Sequence, residues 1–352
     1  MISGLADHRG KAAPLQPGDG DPCAPVEVAS VASLAPLPVA RLEFTAGLER
    51  PLELPAHPGA LLRSVFGAAL RQGACTTGLP RCGECPLLRS CAYPAIFETP
   101  PAPTQFEQKF SQLPNPYVIE PPAGPVVLRA GEPLVFHMVL AGSATQRQTP
   151  LIINAWQRAL RFGLGQARIP GQLQAVAALD ALGHRNTLFP PSAAAPSQPT
   201  PLLDLAALIR TGNPEPAALE LRFESPLRLQ HESKPLRPDQ LTPRVFMSHL
   251  LRRITLMLDA HMDIRPAPFD VGAVLSLANQ VAHDSRALQW HDLRRYSARQ
   301  GQELPQGGVQ GPWLWQGPLA QLLPWLLLGQ WLHVGKGATA GLGGYTVRAV
   351  TP

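Results

Sequence analysis

Lysine is nearly absent from this chain. Of its 30 basic residues four are lysine (Lys11, Lys109, Lys234, Lys336), which leaves 30 − 4 = 26 arginines. That scarcity argues against a lysine-rich tail of the kind that coats a polyanion without order. Charge of either sign is also sparse, at 16%, while 45% of the 352 residues are hydrophobic, so a highly charged disordered chain is excluded and a sizeable core is affordable. Long apolar runs are missing. The strongest, Leu319 to Leu328, covers ten residues and is interrupted by Gln321 and Pro324, whereas a membrane-spanning helix needs about 20. Residues 1–38 are rich in proline, glycine and alanine, without the apolar segment of a secretory leader. They read as a disordered or loosely ordered tail on a cytoplasmic protein with no membrane partner. There are five cysteines, and two disulfides or unrelated free thiols are disfavoured by a reducing cytoplasm.

Arginine, proline and glycine are present instead. Arginine's planar fork suits phosphates and guanine edges and stacks on bases. With a net charge of +5 and a pI of about 9.2, it makes nucleic acid a natural partner, although a GC-rich genome would produce the same composition. The length fits two domains, and the 41 prolines fall largely in connecting stretches.

Near the C-terminus the chain reads WLHVGKGATAGLGGYTV, residues 331–347. Glycine lets backbone amides approach an anion closely. The familiar phosphate loops do not fit, however. Lys336 is followed by Gly337 rather than Ser or Thr, an apolar helix-like segment precedes the loop, and a strand-like YTVRAV follows it.

Four of the cysteines sit together as Cys75, Cys82, Cys85 and Cys91, with the spacing C-x6-C-x2-C-x5-C. The C-G-E-C unit has the form of a metal knuckle, and four thiolates would close a tetrahedral structural zinc site. The same ligands suit an iron–sulfur cluster. With no open coordination position, such a metal would not be catalytic.

Hydrophobic periodicity repeats in the two halves. Residues 41–47 alternate as a half-buried strand, and Leu61, Leu62, Val65, Phe66, Ala69 and Leu70 follow at helical spacing. In the second half, Leu219, Leu221 and Phe223 alternate. Thr242-Pro243 then marks a helix start, and Met247, Leu250, Leu251, Ile254, Met257 and Leu258 line one face. A short helix (about 271–282), strand-like ALQWHDL and PWLWQG, an apolar helix over 319–331 and a last strand over 345–350 complete a β-α-β-β-α-β order with one extra helix. In the first half PLVFHMVLAG supplies a later strand and residues 150–162 a second helix. Trp313-Leu314-Trp315 is expected to place at least one tryptophan outward or into an interface, with core packing favoured over base stacking. The predicted fold is α+β: tandem ferredoxin-like (RRM-like) domains over 39–170 and 216–352, a small four-cysteine insertion at about 73–97, and an Ala/Pro-rich linker over 171–215.

Taken in order, LRSVFGAALRQGAC with CGECPLLRSCAYPAIFETP, then PYVIEPP and GEPLVFHMVLAG, then LQWHDLRRYSARQ, GGVQGPWLWQGPL and LGQWLHVGKGATAGLGGYTV resemble the RAMP superfamily of CRISPR proteins. Within it the chain resembles the endoribonucleases that cut precursor repeat RNA. The resemblance runs over roughly 39–352 with gaps. It implies a metal-independent cut in which the RNA 2′-hydroxyl attacks its adjacent phosphate, leaving a 2′,3′-cyclic phosphate. It also implies a glycine loop on the RNA-binding side, guide RNA that stays bound as product, and other CRISPR effector subunits as partners. A non-catalytic RAMP subunit that binds guide RNA shares the fold and the loop.

That chemistry needs groups to move protons and offset charge. Histidine suits proton transfer near neutrality. Relatives often carry a catalytic histidine at or just after the first helix. Here that helix has none, and His57 stands just ahead of it. The candidate catalytic residues are His333, His57 and Tyr296. The candidate RNA-binding residues are Lys336, Gly335, Gly337, Gly341, Gly343, Arg294, Arg295 and Arg299, with His291 just before the basic stretch.

Overall fold

The computed structural model describes residues 36–101, 113–190, 200–265, 267–297 and 302–351. The elements that build its first unit are β1 (Val39–Leu48), α1 (Gly59–Ala74), β2 (Tyr117–Glu120), β3 (Pro133–Ala141), α2 (Thr149–Phe162), β4 (Gly171–Leu179) and β5 (Arg185–Phe189). Their sheet order is β2-β3-β1-β4-β5, with antiparallel neighbours throughout. Strands one to four of a ferredoxin-like unit lie in that order, with β5 added at the edge. Alternation in β1 sends Leu42, Phe44 and Ala46 under α1 and α2, where Phe44, Phe136, Phe66 and Trp156 stack into one aromatic core. Arg41 and Glu43 point to the other face of the sheet.

The second unit repeats the plan: β6 (Ala218–Leu227), α3 (Pro243–His261), α4 (Val271–Ala278), β7 (Ala282–Asp284), β8 (Gln289–His291), a hairpin of β9 (Arg294–Ser297) and β10 (Gln302–Pro305), β11 (Gly308–Gln316), α5 (Leu323–Leu332) and β12 (Tyr345–Val350). Its sheet runs β7-β11-β6-β12, and β8 also pairs with β11. The predicted start of α3 is real: the Thr242 hydroxyl accepts from the Val245 amide at 3.2 Å, and Pro243 opens the first turn.

Three expectations are corrected. Residues 171–189, expected in a linker, form two paired strands, because the bare sheet edge of β1 accepts Gly171–Leu179 as its second antiparallel neighbour. Trp313 and Trp315 are both fully buried while Leu314 is 41% exposed. A strand's period of two puts residues i and i+2 on one face, so neither tryptophan turns outward. Leu37, expected in a loose tail, is buried and bridges Leu203. Residues 1–35 lie outside the described residues.

The two units are joined by shared core. Val39, Val118, Val139 and Ala141, from the sheet face opposite α1 and α2, are buried with the second unit's hydrophobic cluster. His261 at the end of α3 holds the Pro114 carbonyl with Nε2 at 2.6 Å. Among the described residues no helix is long and apolar enough to cross a membrane.

Candidate active site

The glycine-rich segment after α5 lies against both units. The α5 helix ends at His333, whose backbone is in the left-handed region at φ 54°. Such a conformation persists in a non-glycine residue only where its surroundings fix it, and here they do. The half-buried Arg253 donates from Nε to the Leu332 carbonyl at 2.8 Å. His333 is only 5% exposed, and its two ring nitrogens face Leu342 O and Glu120 Oε1, each at 3.3 Å. Glu120, at the end of β2, accepts from Arg41 Nη2 at 2.8 Å, and the Arg41 guanidinium lies 4.4 Å from the centre of the Trp331 ring. Burial pushes the Glu120 carboxyl up, but Arg41 and then His333 outweigh that and hold it below the usual glutamate range.

The glycines serve close packing. A side chain at Gly343 would meet the Val334 carbonyl at 1.8 Å, and at φ 67° the residue sits where L side chains are strained. A Cβ at Gly341 would strike Pro121 and, at 2.7 Å, the Ile119 carbonyl. The loop's amides are largely engaged: Lys336 N donates to Arg228 O, Gly343 N to Pro226 O and Gly344 N to Ser225 Oγ. The expectation of a bare loop that wraps phosphate is therefore corrected in part. Gly335, Gly341 and Gly343 are packed against the protein, while the Lys336 side chain is exposed.

His57 reaches the same loop from the first unit. It stands two residues ahead of α1, whose first turn carries no acidic side chain and no side-chain cap. Gly59 abuts the loop so closely that a Cβ there would sit 1.9 Å from the Ala340 carbonyl. The half-buried His57 imidazole has its pKa lowered, first by burial and then by His291. His291 belongs to the second unit. It ends β8 opposite Gly308, and Gly308 packs against the Pro226–Leu227 backbone that also holds Gly343. Arg228 completes this side: its guanidinium donates to Gly307 O at 2.9 Å, and its carbonyl receives Lys336 N. The loop is thus held between Gly59 at the start of α1 and the Pro226–Arg228 backbone of the second unit.

The other predicted residues are dispersed. Arg294, Arg295 and Tyr296 lie on the β9 strand of the hairpin, beyond His291 in the chain. Arg299 lies outside the described residues. His333 is beneath the loop rather than at its surface. Sequence reading passed over Glu120, Arg41 and Arg228, which carry no motif, and noted His291 before the basic stretch without giving it a role. A histidine immediately ahead of an arginine-rich strand was the available signal.

The four-cysteine segment follows α1 and is pinned to the first core by Tyr93 and Phe97. Its thiols are unpaired and line one pocket with Leu79, Leu87 and Leu88. The expected zinc or iron–sulfur centre finds no support in this geometry. The Thr77 hydroxyl lies between Cys75 and Cys85, 3.9 and 3.5 Å from their sulfurs, and Cys91 Sγ turns to the Ala74 carbonyl. Among the described residues no group of three or more His, Cys, Asp or Glu is arranged to hold an ion.

Comparison with known proteins places this architecture. The family model described as CRISPR-associated endoribonuclease Cas6 matches residues 221–345, and a model described as an N-terminal domain matches residues 37–200. No curated protein matches the chain by sequence. Among solved structures, a Thermus thermophilus Cas6 product complex is 17% identical with a TM-score of 0.52, over 88% of this chain and 99% of that one. A partial Cas6-RT-Cas1–Cas2 complex is 15% identical with a TM-score of 0.56, over 91% of this chain and 47% of the longer one. The second unit thus matches the family model of CRISPR-associated Cas6 endoribonucleases, on a fold that the chain shares with solved Cas6 structures over most of its length.

Proposed function

We propose that this protein is a metal-independent endoribonuclease that cuts CRISPR repeat RNA by attack of a 2′-hydroxyl on the adjacent phosphate. The products are a 2′,3′-cyclic phosphate and a 5′-hydroxyl, and the matured guide RNA stays bound. The observation that carries this reading is the position of His57, at the junction of the first helix with the glycine loop, inside a Cas6-family frame.

His57 acts as the general base. Burial keeps its imidazole neutral at physiological pH, ready to take the 2′-hydroxyl proton. The exposed Lys336 ammonium offsets charge on the phosphorane oxygens. Arg294, Arg295 and Tyr296 grip the RNA from the β9–β10 hairpin. His333 is a positioning residue that fixes the loop through Glu120. The similar solved chains include a Cas6 product complex and a Cas6-RT-Cas1–Cas2 complex, which supports RNA and other CRISPR proteins as partners.

The test is cleavage of radiolabelled repeat RNA from the same genome's array, in EDTA, beside a substrate with 2′-deoxy at the cut. A single cut that survives EDTA and disappears with the deoxy sugar is the expected result. Tight binding without a cut would instead assign the protein to the guide-binding, non-catalytic RAMP subunits.

A further inference from the structure

The stretch from Pro133 to Leu179 contains no aspartate or glutamate, yet it carries Arg147, Arg158, Arg161 and Arg168. All four arginines are exposed, and among the described residues no ion pair engages any of them. Arg158 and Arg161 stand on α2. That helix buries Ile152, Ala155, Trp156, Ala159 and Leu160, so its period of 3.6 turns Asn154, Gln157, Arg158 and Arg161 outward. With Phe162 at the helix end, these four side chains line one shallow groove. Arg158 Nε donates to Asn154 Oδ1 at 3.0 Å, which ties its guanidinium down along the helix. Phe162 leaves 61% of its surface to solvent. The groove lies on the helical layer, away from the sheet face that meets the second unit. Its end is close to the start of α1, because a Cβ on Gly165, just past α2, would lie 3.5 Å from Leu52 Cδ1 in the connection from β1.

We infer that this groove is a second RNA-binding site, one that holds single-stranded RNA without regard to its sequence. The two arginine forks take phosphate oxygens, contacts that position a strand but read no base. The Phe162 ring supplies a platform for a base, and every base has a face to stack on it. The Gln157 amide can donate and accept, which suits a ribose hydroxyl or a base edge. No carboxylate in the segment repels a polyanion. A double helix does not fit, since its bases are stacked on one another and offer no face to the ring. An acidic peptide would answer the arginines alone and leave the phenylalanine bare. The groove therefore takes unpaired RNA that runs on past the segment being cut, around the first unit.

The inference rests on the RNA reading above, and its test separates the two. Filter binding compares wild type, the double variant Arg158→Ala/Arg161→Ala, and Phe162→Ala. The probes are the repeat RNA, the same RNA extended by an oligouridine tail, and a polyglutamate peptide as competitor. Wild type should bind the extended RNA more tightly than the bare repeat. Phe162→Ala should lose roughly 5- to 100-fold of affinity for the extended RNA, the worth of one stacked base. The double variant should lower the log–log salt slope on that RNA by about 1.4, as for two phosphates on a single strand. Both variants should bind and cut the bare repeat as wild type does, with unchanged melting temperature. Variants that match wild type on the extended RNA would overturn the site, as would equal losses on both RNAs. Displacement of the tail by polyglutamate at lower concentration than by free oligouridine would give the groove to an acidic protein and overturn it too. A repeat that is bound but never cut, with the tail still dependent on the groove, would sink the cleavage reading and leave this inference standing.

Discussion

His333 Nε2 lies 3.3 Å from Glu120 Oε1 across the junction of the two units, although 213 residues separate them in sequence. With Arg41 stacked on Trp331 and bonded to the same carboxylate, four side chains fasten the glycine loop to the first unit.

Glu120→Ala should therefore destabilise the protein by about 2–4 kcal/mol, because removal of one member of a largely buried pair strands the other charges. Glu120→Gln isolates the charge. Its folded pKa is held below 4.5, so the stabilisation is present at neutral pH and is lost as pH falls through the folded value. Chemical unfolding of wild type and Glu120→Gln at pH 7 and at pH 4 should show the gap between them shrink in acid.

Gly59→Ala and Gly73→Ala, in the same helix, should move stability in opposite directions. At Gly59 the new methyl would meet a backbone carbonyl at 1.9 Å, while at Gly73 the nearest atom is Leu151 Cδ1 at 3.9 Å. Overpacking costs about 1–3 kcal/mol, whereas a tolerated Gly→Ala in a helix contributes about 0.4–1 kcal/mol. Thermal melts check the signs. Gly59→Ala should also slow cleavage, since α1 and His57 must back away from the loop.

Cleavage should have an acidic limb that lies below pH 6.5. In the proposed mechanism His57 works as the neutral base; its pKa is lowered by burial and by His291, so activity should fall as it becomes protonated. Single-turnover rates from pH 4.5 to 8 measure the limb. In His291→Ala one of the two depressing influences is gone, so the limb should shift upward.

Lys336→Ala should weaken RNA binding and leave the melting temperature unchanged, because the ammonium is exposed while the loop backbone keeps its partners. If it contacts one phosphate, the log–log dependence of affinity on salt should fall by about 0.7–0.9. Filter binding across a salt series reads this slope directly.

Cys75 should alkylate before Cys82. Backbone and Thr77 hydroxyl hydrogen bonds lower the pKa of Cys75, while burial and then Glu98 raise that of Cys82. Limited iodoacetamide labelling with peptide mass spectrometry gives the order. Equal protection of all four thiols, relieved by a chelator, would restore the metal reading.

The repeated fold was legible because its signals are local. The helix over 150–162 and the last strand over 345–350 follow from periodicity, and the start of α3 follows from Thr242-Pro243. The strand Gly171–Leu179 was hidden because its alanines carry little strand preference, and only pairing with β1 selects it. The site was half legible. His57 could be named from its place before α1, and the loop from its glycines. That the glycines answer to Pro121, Ile119 and Arg228, and that His333 is spent on Glu120, depends on contacts between residues far apart in the chain.

The long separation within the clasp has a consequence for the order of events during synthesis. Arg41 and Glu120 emerge early and can pair within the first sheet. The loop that completes the clasp follows more than two hundred residues later, and contacts of such range close slowly. Each half can mature on its own schedule, but the shared core between them forms only at the final docking. A nascent chain thus completes its first sheet, with Arg41 and Glu120 already paired, before the loop that locks the two halves together exists.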